Sequence, residues 1–175
     1  MTVAILFARQ DSIYKTLPDC DVWDIDRDAR RWPGGGPAVA HPPCRAWGRY
    51  AHVAKPRPDE KALAPWAMEQ VRKHGGVLEH PITSRLWAHC GCLGYGVRDQ
   101  WGGVLLPVHQ SWWGHRAPKP TGIYIAGPAP DLPFDPVLAA GRIENMCHAE
   151  REKTPEPFAR WLVDLARRCE RTVTA

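Results

Sequence analysis

The stretch Ala38-Val39-Ala40-His41-Pro42-Pro43-Cys44-Arg45-Ala46-Trp47 decides how this chain folds. Three small apolar residues run into a histidine, two prolines, a cysteine and an arginine. The apolar run reads as the end of a buried strand. Pro42 and Pro43 carry no N–H and have a fixed φ, so they cannot continue a ladder and the chain must leave the sheet. Cys44 then stands on a stiff loop beyond the carboxyl end of the strand, where open α/β sheets place their chemistry. That stiffness favours a nucleophile, because less geometry has to be frozen in the transition state.

Working outward, the apolar run from Thr2 to Phe7 predicts a first buried strand, and Asp21 to Ile25 a second. Between them Ser12 to Leu17 reads as a short helix with Ser12 at its N-cap. After the quoted stretch, Asp59 to His74 has helical spacing, with Leu63, Trp66, Ala67, Gln70 and Val71 on one face. Asp59 is expected to cap it and Gly75-Gly76 to end it. Val77-Leu78-Glu79 reads as a strand closed by His80-Pro81, and Ser84 to His89 as a helical turn. Gly91 to Gly103 is irregular. Val104 to Gln110 and Thr121 to Ala126 read as an antiparallel pair joined by the tract Ser111 to Pro120. Ala129 to Pro136 reads as a proline-spaced linker. Pro155 to Arg171 predicts a last amphipathic helix, with Thr154 as N-cap and Pro155 at its first position. Strand–helix alternation of this kind predicts an α/β fold. The expectation is a three-layer Rossmann-like sandwich, a mostly parallel sheet with an antiparallel strand pair at the C-terminal side.

A length of 175 residues suits a single domain with a proper core, spanning 1–175. The balance of 44% hydrophobic and 24% charged residues is that of a globular protein rather than a disordered one. No apolar run reaches membrane-spanning length, so no membrane partner is expected. Met1 to Phe7 has neither a basic leader nor a cleavage site, which reads as no signal peptide and a cytoplasmic location. Six well-separated cysteines in that setting favour free thiols or metal ligands over disulfides. A net charge of +4 permits a nucleic-acid partner without demanding one.

His41-Pro42-Pro43-Cys44 and Leu78-Glu79-His80-Pro81 resemble the nucleophile loop and the base-contacting glutamate segment of DNA cytosine-5 methyltransferases. Other segments are similar in the family's order. Leu6 to Ser12 sits where that family has its cofactor loop, and Asp24-Ile25-Asp26 where an acidic residue holds the cofactor ribose. Gln110 to Tyr124 looks like a degraded strand pair near the active site, and Arg151 to Pro155 leads into a similar final helix. The resemblance implies a compact, phage-encoded type of pyrimidine-modifying enzyme working in a bacterial host cytoplasm. It implies Cys44 as nucleophile, Glu79 at the base edge, and His41 and Arg45 in close support. It implies S-adenosylmethionine as cofactor, with Phe7, Arg9, Ser12, Asp24 and Asp26 around it. Against that cofactor, Arg9, Gln10 and Asp11 stand where the family has glycines that let the backbone approach it.

The chemistry follows from the residue types as well. A thiolate adds to C6 of a pyrimidine and makes C5 nucleophilic. That needs an activated cysteine, with Arg45 or His41 lowering its pKa, and an acid near N3 to stabilise the enamine charge, the role expected of Glu79. The alternative for Cys44 is a small buried hydrophobe, and for Glu79 a surface or capping carboxylate. About thirty residues between Gly122 and Thr154 are too few for a target-recognition domain. DNA or a pyrimidine nucleotide is therefore the expected partner, read as single strands, as nucleotides, as a homodimer or with a separate specificity protein.

Trp112, Trp113, His115 and Arg116, with Lys119, form an aromatic–basic cluster suited to stacking on a base and holding a phosphate. This supports a second reading, a non-catalytic single-stranded nucleic-acid-binding protein. The same tract reads equally well as a hairpin loop packed on the core. His89-Cys90-Gly91-Cys92 with Cys147-His148 raises a third, a small zinc-dependent hydrolase or deaminase. Its Cys-x-Cys spacing is tighter than that of common zinc sites, and no metal ligand is assigned.

Overall fold

The computed structural model describes residues 1–128, 130, 141, 142 and 145–169. Among the described residues six strands form one sheet: β1 (Val3–Leu6), β2 (Cys20–Trp23), β3 (Ala38–Ala40), β4 (Gly76–Pro81), β5 (Val104–His109) and β6 (Pro120–Ile125). The helices are α1 (Glu60–His74), α2 (Leu86–His89), α3 (His148–Glu152) and α4 (Glu156–Arg168), with 3-10 turns at Ile13–Thr16, Ala29–Arg31 and Gln110–Trp113. The strand order is β2-β1-β3-β4-β6-β5. The pairs β1/β2, β1/β3 and β3/β4 are parallel, and β4/β6 and β5/β6 antiparallel. The fold is α/β, and the order agrees with a Rossmann-like arrangement.

Alternation along the strands divides the core. Val3, Ile5, Val39, Val77, Ile123 and Ile125 pack with Phe158, Leu162 and Ala166 of α4. Their neighbours Ala4, Leu6, Ala38, Ala40, Leu78 and Tyr124 pack with Ala64, Ala67, Met68 and Val71 of α1. Successive side chains point to opposite faces of a sheet, so both faces are apolar. This is why the central strands read as unbroken apolar runs rather than alternating ones.

Several boundaries move for identifiable reasons. β1 stops at Leu6 because Phe7 takes φ +62°, a left-handed conformation that no strand continues. β2 starts a residue early and ends at Trp23, since Asp24 turns back to accept from the backbone N–H groups of Asp26 and Arg27. Asp59 holds the cap position of α1 without a side-chain cap bond; its carboxylate accepts from Arg30 instead, at 3.2 Å. Of the expected buried face, Trp66 and Gln70 are only half-buried, while Ala64 and Met68 are fully covered. Thr154 does not cap α4. Pro155 occupies the cap position, and Pro157 falls in the first turn. Most of the expected linker, Ala129 to Pro136, lies outside the described residues, as do the last two residues of the expected final helix.

The ends of α1 carry two devices that bear on the site. Gly75 closes the helix by donating to Val71, and Gly76 follows at φ +114°, where an added Cβ would meet the Ala38 carbonyl oxygen at 2.0 Å. Only glycine lets β4 enter this close beside β3. Near the start, Pro65 has no N–H for the carbonyl of Lys61, four residues back. The Trp47 indole fills that place and donates to Lys61 O at 2.9 Å. The loop after β3 is thereby tied to α1. Among the described residues no helix is long and apolar enough to cross a membrane.

Candidate functional site

The connection after β1 runs to one side, through the turn Ile13–Thr16, to reach β2. The connection after β3 runs to the other, through α1, to reach β4. The crevice between the carboxyl ends of β1 and β3 is thus a topological switch point, the place where such sheets bind ligands. A cavity of about 800 Å³ opens there. Its wall is built from the loop after β1, Tyr14, the loop His41–Arg45, the end of β4 from Glu79, Lys119, and the segment from Arg151 to Thr154.

Glu79 is the most constrained group in this wall. His41 Nδ1 lies 3.1 Å from its Oε2, and Gln110 Nε2 donates to its Oε1 at 3.1 Å. His41 Nε2 is 2.9 Å from the hydroxyl of the buried Tyr14, and Gln110 also donates to Thr121 Oγ1 at 3.1 Å. Burial pushes the Glu79 carboxyl up. The hydrogen bond from His41, and the positive charge of His41, Lys119 and His80, outweigh it and hold the group at about 2. A carboxylate ionised at neutral pH only accepts, so His41 donates to it through Nδ1. Both ring nitrogens are occupied, and the chain Tyr14–His41–Glu79–Gln110–Thr121 joins five segments of the protein.

Cys44 lies in the same wall and is exposed at the mouth. The loop is held by backbone bonds from Trp47 and Gly48 to the Cys44 carbonyl, at 3.0 and 2.8 Å. The expectation that Arg45 or His41 lowers the thiol's pKa is overturned. Protein packed around the sulfur, and then the Glu79 charge, push the thiol up from its ordinary value. Arg45 turns to the buried Glu60, donating at 2.8 Å through Nε and 2.5 Å through Nη2. An uncompensated buried carboxylate is far costlier than an exposed thiol without a cation. Glu60 therefore captures the guanidinium, and His41 is spent on Glu79 and Tyr14.

The residues expected around a cofactor separate. Phe7, Arg9 and Ser12 line the cavity. Ser12 is the expected N-cap, accepting from Tyr14 N at 3.4 Å. Arg9 pairs with Asp11 at 2.8 Å and with Glu152 of α3. Asp24 and Asp26 lie outside the cavity wall. Asp24 accepts from Lys15 Nζ at 2.7 Å and from two backbone N–H groups, and Asp26 accepts from Gln10 at 2.9 Å. The Lys15 bond holds the Asp24 carboxyl below its ordinary value. These contacts do not fit S-adenosylmethionine held in the way the resemblance implies. The carboxylate meant for the ribose is engaged by the protein itself. The loop meant to approach the methionine carries an arginine bridged across the cavity to α3.

The residues of the aromatic–basic cluster go to different partners. Trp113 packs on Phe158 and Trp161 of α4 at centroid distances of 5.0 and 4.6 Å, and Trp112 stands 5.9 Å from Trp113. Burial of this indole area on α4 outweighs exposure for stacking. His115 is buried, its Nδ1 donating to the Ala117 carbonyl at 2.7 Å. Arg116 pairs with Glu150 at 3.3 Å. Of the five residues only Lys119 reaches the cavity. The two indoles thus pack against the core while staying half-buried, and Arg116 is exposed. His89, Cys90 and Cys92 form no group of three metal-binding side chains among the described residues. Burial pushes the Cys90 thiol up and holds the Cys92 thiol at about 11.

Tyr14, Gln110 and Glu152 were not legible as site residues. Tyr14 sits in an ordinary short-helix pattern, and Glu152 belongs to a charged run. The usable signal for Gln110 was a polar side chain at a strand end directly before the turn, with Thr121 facing it across the hairpin. No family model, no curated protein and no solved structure matches this chain.

Proposed function

We propose that this chain is a pyrimidine-modifying enzyme, similar in chemistry to the cytosine-5 methyltransferases, built as one three-layer Rossmann-like domain. The observation that carries the reading is the meeting of Cys44 and the clamped Glu79 in one cavity of about 800 Å³ at the switch point. That volume lies within the span of small-ligand sites, roughly 300–1,000 Å³.

The base enters with C6 toward Cys44 and its hydrogen-bonding edge toward Glu79. Glu79 is held ionised and so is not the acid expected near N3: it accepts a hydrogen bond and does not give one, and the enamine charge is met by water. The carboxylate therefore favours the 4-amino group of cytosine over the 4-oxygen of uracil. The sulfur gives up its proton to solvent and adds to C6. The C5–C6 π pair moves to C5, which takes a proton from water. Loss of the original C5 proton and expulsion of the sulfur restore the base. The His41–Tyr14 and Gln110–Thr121 contacts keep the carboxylate still during these steps, so little reorganisation is needed. No transfer from a cofactor is derived, since the cofactor loop does not fit one.

The test uses this cofactor-free exchange. Deoxycytidine monophosphate and a short cytosine-containing single strand are incubated with the protein in D2O, and the C5–H signal is followed by NMR. The reading expects loss of that signal with wild type and none with Cys44→Ala. A wild-type protein inert toward both substrates, or exchange that survives Cys44→Ala, rejects it.

A further inference from the structure

The loop that follows Cys44 carries a charge for which the steps above have no task. Residues 45–58 hold Arg45, Arg49, Lys55 and Arg57 and no carboxylate, a charge equal to the +4 of the whole chain. The first acids after the loop are taken. Glu60 is buried and pairs with Arg45 and, at 3.6 Å, with Arg57, and Asp59 pairs with Arg30. Among the described residues no carboxylate pairs with Arg49 or Lys55, nor with Lys61 of α1 or Arg85, the residue before α2. All four of these cations are exposed.

Trp47 gathers them beside Cys44. Its indole donates to Lys61 O at 2.9 Å, and its carbonyl accepts from the Arg85 backbone at 3.0 Å. The loop is turned tightly on itself: Ala51 N–H donates to Gly48 O at 3.0 Å, and those of Val53 and Ala54 to Tyr50 O at 3.1 and 3.0 Å. Tyr50 is nevertheless 67% exposed, with the Arg49 guanidinium 5.9 Å from its ring centre. An aromatic ring held in water by an ordered loop, among unpaired cations, joins a stacking platform to a positive field. Proteins hold single-stranded nucleic acid with that combination.

We propose that residues 45–58, with Lys61 and Arg85, are the docking surface for a single-stranded nucleic acid. Tyr50 stacks on a base, and Arg49, Lys55, Lys61 and Arg85 meet phosphates. The strand carries the base that reaches Cys44, and in this the inference rests on the function proposed above. The surface is continuous with the cavity: Cys44 and Arg45 line it, and the Cys44 carbonyl accepts from Trp47 and Gly48. A base enters the cavity only out of its stack, and Tyr50 stacks only on an unpaired base. A duplex would have to open at both places first.

Fluorescence anisotropy of a labelled, mixed-sequence single strand, titrated with the protein at several salt concentrations, tests this. Four phosphate contacts give a slope of about −3 for the logarithm of the binding constant against that of salt. Arg49→Gln combined with Lys55→Gln is expected to make the slope shallower by about 1.4. Tyr50→Ala is expected to weaken binding by roughly tenfold, and Tyr50→Phe to keep it. No binding, or binding that neither Tyr50→Ala nor the double variant changes, overturns the proposal. Should the variants unfold, the wild-type slope and the preference for single strand over duplex decide. Equal affinity for the same strand hybridised to its complement overturns the assignment. Binding to vesicles of phosphatidylserine and phosphatidylcholine with none to the strand overturns it in favour of a membrane surface. Strand binding of the expected kind by a protein inert in base exchange rejects the enzymatic reading and keeps the surface. Exchange on deoxycytidine monophosphate without strand binding does the reverse.

Discussion

Replacing Glu79 by glutamine keeps the shape of the carboxylate and removes its charge. Its carboxyl is held at about 2 against an ordinary 4.5, which corresponds to about 3 kcal/mol of folding stability at neutral pH. The folded-state value is the lower one. The contribution is therefore present above about pH 4.5 and is lost as pH falls toward 2, with about 2 kcal/mol gone by pH 3. Urea unfolding of wild type and Glu79→Gln at pH 7, 5, 4 and 3 reads this directly. Wild type is expected to be the more stable at pH 7, with the gap closing by about 2 kcal/mol between pH 7 and pH 3. A gap that does not change with pH would refute the reasoning, since it would mean that the His41 contact does not favour the ionised form.

Two further outcomes follow from the same contacts. Tyr14→Phe removes the hydroxyl facing His41 Nε2 and should destabilise by about 1 kcal/mol, seen as a lower urea midpoint at unchanged slope; an unchanged midpoint would show that the Tyr14–His41 contact contributes nothing. Trp113→Ala strips an indole from Phe158 and Trp161 and should cost about 3 kcal/mol in the same measurement. A loss below about 0.5 kcal/mol would instead mark Trp113 as a surface residue free to stack on bases.

The strand and helix order was largely legible, because the signals are local. The apolar runs Val3–Leu6 and Ala38–Ala40, the prolines after His41 and the Gly75-Gly76 pair each act within a few residues of themselves. One cap position failed where a distant partner competed. Asp59 turned to Arg30, a group 29 residues away that no local pattern reveals. Two residues of the cavity wall, Cys44 and Glu79, were legible because prolines punctuate their segments: Pro42 and Pro43 stand between β3 and Cys44, and Pro81 is the last residue of β4, two beyond Glu79. Their electrostatics were not. Neighbourhood in sequence suggested that Arg45 would serve Cys44, but the buried Glu60 holds that guanidinium instead.

By itself the sequence determined an α/β chain with a stiff cysteine loop, since punctuation by proline and glycine and apolar runs are properties of short segments. Only the tertiary structure decided which groups share a charge. Tyr14 and His41 lie 27 residues apart, His41 and Glu79 38, and Glu79 and Gln110 31. They meet because the sheet sets β3 beside β4 and the β5–β6 hairpin beyond it. Coulombic and hydrogen-bond energies depend on distance and surroundings in space, and the spacing of residues along the chain does not encode either.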